Sequence, residues 1–300
     1  MSDIPIINPF NDKQQPTSQE PAALFSYISN LTDKEIELLC EILSIPNKSE
    51  HEWLLAKFIK RYCKNKGYKT TSDRMGNVYA VKGSIQDDEF LPLLNAHLDS
   101  VFSEHLELLN TNQRIDIKIN GDTITGYHPI TGNMMGVGMD DKNGVFIALL
   151  VLDRIDKGKA VFSVREEIGM RGAEYSINRA DTSFYKGIGY ILSFDSPNNN
   201  IFSESFNGKA IFNRDSDFFK ISEPIINKHI VNPVYASHPW TCFVKLQHLL
   251  GLQGFNLPSA YFNYHSHREY GSLSGITNTI NMAVELIEKL ENKQYKLNSK

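Results

Sequence analysis

Cysteine, excess positive charge and long apolar runs are all scarce in this sequence. Its 300 residues include three cysteines, Cys40, Cys63 and Cys242, which are widely spaced and form no C-x-x-C pair. This usage argues against a disulfide framework or a zinc–thiolate site and favours a reducing compartment. The 31 Lys and Arg residues stand against 35 Asp and Glu residues, which gives a net charge of -4. We therefore expect neither nucleic acid nor an anionic membrane surface as a partner.

Membrane-spanning and secretion signals are missing as well. The longest apolar run covers residues 145–152 and is far shorter than the ~20 residues that cross a bilayer. The first residues lack both the positive region and the apolar region of a secretory signal. The sequence therefore predicts a cytoplasmic protein.

Apolar residues are plentiful enough for a large core, since 41% of the chain is hydrophobic and 11% is aromatic. This content excludes disorder of the whole chain. Residues 1–30 differ from the rest because they are polar and interrupted by four prolines. We interpret them as an extended or disordered N-terminal arm, and residues 31–300 as a single catalytic domain.

Helical and strand patterns alternate along this domain. Thr32 is placed to cap a first helix, and Ser49 with Glu52 resembles a capping box for a second. Asn120-Gly121 between two alternating segments predicts a β-hairpin with a type I′ turn. The pattern predicts strands over 77–81, 90–96, 160–164 and 188–194, and helices over 144–155 and 276–290. This order is typical of an α/β fold, a three-layer sandwich around a mixed, largely parallel central sheet.

Acidic residues and histidines gather where these apolar elements begin or end. In open α/β sheets, sites form at the ends of strands. The residues concerned are His97 and Asp99, Asp140 and Asp141, Glu166 and Glu167, Asp195, and His265 and His267.

Taken singly, each of these pieces has an ordinary structural explanation. An H-x-D pair is commonly a surface pair, adjacent glutamates are commonly solvated, and adjacent aspartates commonly open a helix. Their occurrence together is harder to explain, because buried carboxylates need positive partners and few basic residues, Lys142 and Arg165 among them, lie within the motifs. Two divalent cations supply that charge. Mixed imidazole and carboxylate ligands suit Zn²⁺, with Mn²⁺ or Co²⁺ as alternatives.

The ordered set resembles the co-catalytic zinc-dependent exopeptidase superfamily, which includes tripeptidase T and the glutamyl aminopeptidases. The resemblance covers residues 33–292. The segments "GMDDKNG" and "HSHRE" are more similar to the tripeptidase T branch, and "REEIGMRGA" is more similar to the glutamyl aminopeptidase branch. The segments that carry it are "NAHLDS" (95–100), "GMDDKNG" (138–144), "REEIGMRGA" (165–173), "SFDSP" (193–197) and "NYHSHREY" (263–270).

The resemblance implies a role for each site residue. His265 is preferred to His267 because the family's last histidine stands four residues before a glutamate, here Glu269. The peptide bond after Asp140 is implied to be cis. The implied roles are His97 and Asp195 on one metal, Glu167 and His265 on the other, Asp140 bridging both, Asp99 orienting His97, and Glu166 as general base and acid.

The implied activity is hydrolysis of peptide bonds in short peptides by a metal-activated water, with an aminopeptidase favoured. A deacylase or amidase, or an acyl-transfer cyclase, is the alternative within enzymes, and a catalytically silent binding module is the alternative outside them. The spacings leave no room for the family's inserted lid or dimerisation domain, so neither substrate preference nor oligomeric state follows. Residues 236–243 are a candidate wall of the substrate pocket, or a packed loop.

Overall fold

A computed structural model describes residues 31–84, 86, 89–178, 182–237 and 241–297 of the chain. The predicted arm over residues 1–30 lies outside the described residues. No helix among the described residues is both long enough and apolar enough to span a membrane.

Eight α-helices lie in the described ranges. The first begins as predicted, because the Thr32 hydroxyl accepts the Glu35 N–H and the Glu35 carboxylate accepts the Thr32 N–H. The predicted capping box at Ser49 is wrong, because the second helix follows Glu52 with no side-chain cap. The helices are α1 Asp33–Ser44, α2 Trp53–Asn65, α3 Glu104–Asn110, α4 Met139–Arg154, α5 Arg171–Asn178, α6 Asp217–His229, α7 Cys242–Leu250 and α8 Leu273–Leu290.

The strands of the described residues form a central sheet and two smaller ones. All four strands predicted from apolar runs are present, within two residues at each end. The strands are β1 Lys69–Ser72, β2 Val78–Lys82, β3 Leu91–His97, β4 Asp116–Asn120, β5 Thr123–Tyr127, β6 Met134–Met135, β7 Gly158–Ser163, β8 Ile188–Ser196, β9 Ile201–Phe206, β10 Lys209–Ala210, β11 Val234–Ser237, β12 Gly254–Pro258, β13 Tyr261–Phe262 and β14 Tyr270–Ser272.

The central sheet is mixed and mostly parallel, as predicted. Its order is β1-β2-β7-β3-β8-β12. The strands β7, β3, β8 and β12 run parallel, and β2 pairs antiparallel with both β1 and β7. Because the parallel strands share one direction, their carboxyl ends meet at one edge of the sheet, where sites form in such folds.

Helices cover the central sheet on both faces. The apolar helix α4 packs against β3, β7 and β8, with α1 and α8 beside it. The helix α7 packs against β3 and β8 as well, and α5 packs on α7. Every residue of β3 and β8 is buried, which agrees with strands covered on both faces. The α/β layering expected from the sequence is therefore confirmed.

The smaller sheets are built from segments between and beside the site motifs. The predicted hairpin joins β4 to β5, and β5 also pairs with β14 and β6. Only Gly121 of the turn has a positive φ, 59°, so the turn differs from the predicted type I′, which needs two such residues. A separate three-stranded sheet has the order β10-β9-β11.

Gly144 fixes the distance between α4 and the central sheet. A Cβ atom added at this position would lie 2.0 Å from the Phe194 carbonyl oxygen and 2.1 Å from Asp141 Oδ1, so a larger residue does not fit here.

We predict that Gly144→Ala lowers the free energy of unfolding by about 1–3 kcal/mol, because the helix must move off β8. Urea unfolding measures the change, with Asn278→Ala on the exposed part of α8 as control. An unchanged urea midpoint in Gly144→Ala contradicts this packing.

Candidate metal centre

Three neighbouring strands deliver side chains to one edge of the central sheet. β3 ends at His97, β8 carries Asp195, and the chain leaving β7 continues to Glu166 and Glu167. Since β3 lies between β7 and β8, His97 comes between the glutamate pair and Asp195. The strand order thus brings together residues that lie about 100 positions apart.

The start of α4 adds two aspartates to the same edge. Asp140 and Asp141 have backbone angles that are not helical, although they lie within the bounds of α4. The peptide bond between them is cis, as the resemblance implied. The Oδ2 of Asp141 accepts the backbone N–H of His97 at 3.0 Å, so α4 is hydrogen-bonded to the end of β3 at this point.

Asp140 lies at the centre of the group. Its Oδ1 is 3.0 Å from His97 Nε2, and its Oδ2 is 3.3 Å from His265 Nε2. Glu167 Oε1 lies 2.9 Å from the same nitrogen of His265. On the other side, Asp195 Oδ1 lies 3.7 Å from His97 Nε2. The two oxygens of one carboxylate therefore face two separate histidine–carboxylate pairs.

The two candidate histidines that follow β13 have different surroundings. His265 has a left-handed backbone conformation, with a φ of 58°, and its ring faces Asp140 and Glu167. His267 has a side chain that is 66% exposed and lies 3.5 Å from Glu104. Of the two, the structure brings only His265 into the cluster.

Asp99 connects the strand ends. Its Oδ1 is 3.5 Å from His97 Nδ1 and accepts the backbone N–H of Glu166 at 2.8 Å. Its Oδ2 accepts the Glu167 N–H at 3.1 Å and the Ser49 hydroxyl at 2.7 Å. This explains why Ser49 caps no helix. Asp99 therefore contacts both the histidine and the glutamate pair.

The electrostatics of the cluster show a surplus of carboxylates. Burial raises the pKa of Asp195 well above its usual range, and neighbouring carboxylates add to the rise. Burial also raises the pKa of Glu166, to about 8. Hydrogen bonds to Asp140 and Glu167 raise the pKa of His265 to about 10. Although burial lowers it, the pKa of His97 is raised well above its usual range by Asp195, Asp140 and Asp99.

The donor set fits divalent cations. His97, Asp140 and Glu167 offer ligand atoms within 4.8 Å of one another, and so do His97, Asp141 and Asp195. The buried Oδ1 of Asp141 accepts no hydrogen bond. Within the described ranges, the ion pairs of the cluster's carboxylates are all with histidines. Imidazole with carboxylate oxygens suits Zn²⁺, Mn²⁺ or Co²⁺.

Two further buried charges, both missed as functional from the sequence, hold the segment before Asp140. The Glu269 carboxylate accepts the N–H groups of Val137 and Gly138 at 2.7 and 2.8 Å. Burial raises its pKa to about 7, and these N–H groups oppose the rise. The ammonium of Lys142 donates to the Val137 carbonyl at 2.7 Å. The only sequence signals were the spacing of Glu269 from His265 and the position of Lys142 within "GMDDKNG".

A cavity of about 300 Å³ opens at the cluster. Its remaining lining is Gly169, Met170, Pro197, Thr241, Tyr261 and Tyr264. Thr241 belongs to the predicted wall over 236–243, of which residues 238–240 lie outside the described residues. Larger cavities of about 800 and 630 Å³ lie elsewhere, but neither is lined by the carboxylate–histidine cluster.

Comparison with known proteins finds sequence similarity to peptidases. A family described as M42 glutamyl aminopeptidase matches residues 113–236, a range that contains Asp140, Glu166, Glu167 and Asp195. The cytosol non-specific dipeptidase of Escherichia coli (strain K12) is 28% identical over 155 residues, which are 49% of this chain and 31% of the dipeptidase. The match thus spans about a third of the length of that curated relative.

Solved structures share the fold at low sequence identity. Aminopeptidase PepT from Bacillus cereus ATCC 10987 has a TM-score of 0.68 at 12% identity, over 86% of this chain and 98% of that one. A tripeptidase from Staphylococcus aureus subsp. aureus Mu50 has a TM-score of 0.66 at 12% identity, over 85% and 97%. Together with the sequence matches, these structures confirm the resemblance to the zinc-dependent exopeptidase superfamily.

The two histidines after β13 form a matched pair for mutation. We predict that His265→Ala lowers the amount of bound divalent metal, because Asp140 and Glu167 lose their shared partner. His267→Ala should keep the wild-type metal content, since that ring lies on the surface. Elemental analysis after dialysis measures both variants. Loss of metal from His267→Ala but not from His265→Ala contradicts this placement.

Proposed function

We propose that the chain is a metal-dependent exopeptidase that hydrolyses short peptides, acting as an aminopeptidase. The observation that carries the proposal is the position of Asp140, whose two oxygens face His97 and His265 at 3.0 and 3.3 Å. The family match and the peptidase relatives support the same conclusion.

We assign the metal ligands by their pairing around Asp140. His97 and Asp195 would hold one cation, Glu167 and His265 the other, and Asp140 would bridge them. Zn²⁺ is the preferred ion, with Mn²⁺ or Co²⁺ as alternatives. When bound, such a pair lowers the pKa of a water molecule and polarises the scissile carbonyl.

Glu166 is the proposed general base and acid. It lines the cavity beside the ligands, and in the described part of the chain its carboxylate takes part in no hydrogen bond or ion pair. Its backbone N–H is fixed by Asp99 at 2.8 Å, which holds the residue at the cavity while leaving the carboxylate unengaged. The carboxylate can therefore accept a proton from the attacking water and pass it to the leaving amine.

Asp99 is the proposed orienting residue for His97. Its Oδ1 lies 3.5 Å from Nδ1, and a proton on Nδ1 facing this carboxylate would leave Nε2 available to a cation. The same carboxylate accepts the N–H groups of Glu166 and Glu167. Asp99 therefore fixes the position of the proposed general base relative to the proposed metal ligands.

The cavity supports a small substrate. Its volume of about 300 Å³ suits a short peptide, and Met170, Pro197 and Tyr264 form an apolar part of its wall. We propose residues 31–300 as one catalytic domain in the cytoplasm, which agrees with the cytosolic location in the relative's name. Neither nucleic acid nor membrane is a proposed partner.

Glu166→Gln tests the proposed base. We predict that the variant keeps its metal and loses activity by about 10²–10⁴-fold, because the amide cannot accept the proton. Peptide hydrolysis and metal content are measured on the same sample. Glu174→Gln, on the exposed part of α5, is the control and should match the wild type. A wild-type rate in Glu166→Gln contradicts the assignment.

A substrate panel separates the aminopeptidase from its alternatives. With added Zn²⁺, Mn²⁺ or Co²⁺, we predict release of amino acids from di- and tripeptides that have a free amino terminus. Turnover of N-acyl amino acids alone indicates the deacylase or amidase. A metal-loaded protein that cleaves nothing in the panel indicates the silent binding module and contradicts the proposed function.

A further inference from the structure

We propose that Glu269 is a positioning residue. It fixes the backbone before Asp140 and so directs the carboxylate of Asp140 toward both His97 and His265. The inference rests on the proposed function, because it assigns Asp140 the bridging place between two cations. In the part of the chain that the structure describes, Glu269 does not line the cavity, and its hydrogen bonds come from backbone N–H groups.

The carboxylate of Glu269 accepts hydrogen bonds from a row of backbone N–H groups. Its Oε2 accepts from Val137 and Gly138 at 2.7 and 2.8 Å. Its Oε1 accepts from Met139 at 3.1 Å and from Asp140 at 3.5 Å. The carboxylate is fully buried, so water cannot replace these bonds. Four consecutive N–H groups thus depend on one side chain from 129–132 residues further along the chain.

The carbonyl side of the same segment is held as well. Lys142 Nζ donates to the Val137 carbonyl at 2.7 Å and to the Leu43 carbonyl at 3.1 Å. His105 Nε2 lies 2.9 Å from the Gly136 carbonyl. Three buried side chains therefore hold residues 136–140 from both sides, and the segment has little freedom to move.

An ionised carboxylate suits this position better than an amide. A carboxylate presents two acceptor oxygens and no donor, and all four partners are donors. Glutamine has nearly the same shape but replaces one oxygen with an NH₂ group, which would oppose two of the N–H groups. Glu269→Gln therefore removes one of the two acceptor oxygens without emptying the site.

The backbone held by Glu269 determines where the oxygens of Asp140 lie. Each oxygen faces a different histidine, so rotation or displacement of this residue cannot preserve both contacts. Loosening the segment should weaken metal binding even when the protein stays folded. Residues that orient metal ligands typically change metal affinity by about 10–100-fold when mutated.

Amide hydrogen exchange on metal-free protein tests whether Glu269 holds the backbone of residues 137–140. In the wild type, the amides of Val137, Gly138 and Met139 should be protected, and in Glu269→Gln they should exchange at least tenfold faster while the amides of β3 keep their protection. Unchanged exchange at residues 137–139 in folded Glu269→Gln overturns the proposal. This readout does not depend on activity.

Metal affinity tests the consequence, with Zn²⁺ titrated into each variant in competition with a chelator. We expect about 10–100-fold weaker binding in Glu269→Gln. Asp122→Asn is the matched control, since Asp122 accepts a backbone N–H from Ser274 away from the cluster, and it should keep wild-type affinity. Equal affinity in folded Glu269→Gln and wild type overturns the proposal.

A second variant keeps the test decisive if Glu269→Gln does not fold. Glu269→Asp retains the charge but draws the carboxylate back by about 1.5 Å, so that it cannot contact all four N–H donors at the same time. It should bind Zn²⁺ at least tenfold more weakly, and wild-type affinity in this variant overturns the proposal. If the wild type itself binds no divalent metal, the proposed function fails, and amide exchange still decides whether Glu269 holds the segment.

Discussion

The crowding of carboxylates at one edge of the central sheet is the constraint on which the rest of the site depends. Asp99, Asp140, Asp141 and Asp195 are each less than 10% exposed, and Glu166 and Glu167 lie beside them. Burying so many like charges is costly unless positive charge compensates them. In the described part of the chain, two histidines are their ion-pair partners. Bound cations would supply the positive charge that this arrangement of carboxylates needs.

The scaffold around the cluster holds the carboxylates together despite the repulsion between their like charges. Parallel strands place His97, Glu166, Glu167 and Asp195 at one edge, and the apolar helix α4 presents Asp140 from one face. Backbone N–H groups then stabilise two of the carboxylates that are not assigned to metal. Asp99 accepts two such groups and Asp141 accepts one. The fold therefore separates carboxylates held by amides from carboxylates left open to ligands.

Much of this organisation could be predicted from the sequence, because apolar strands and their polar ends are local patterns. Four strands of the central sheet, the buried helix and the candidate site residues could be recognised in this way, and the structure brings the seven residues with implied roles together. The position of His265 rather than His267 needed the resemblance, since both histidines follow the same strand.

The remaining features depend on contacts between distant segments, which local patterns do not encode. Ser49 and Glu52 have capping-box spacing, but Ser49 instead donates to Asp99, fifty residues away. Glu52 accepts the N–H of Arg165 at 3.1 Å. The predicted type I′ turn at Asn120-Gly121 was likewise wrong, because the strand register centres the turn on Gly121 and Asp122. At Ser49 and Glu52, tertiary contacts outweighed the local preference, whereas the turn follows the register of its own hairpin.

The central claim is that this cluster holds two cations with Asp140 between them. Anomalous X-ray diffraction at the zinc absorption edge, on crystals grown with Zn²⁺, tests it directly. The account predicts two peaks about 3.5–4 Å apart, one beside His97 and Asp195 and the other beside Glu167 and His265. A single peak, or no peak at the cluster when zinc is in excess, would contradict it.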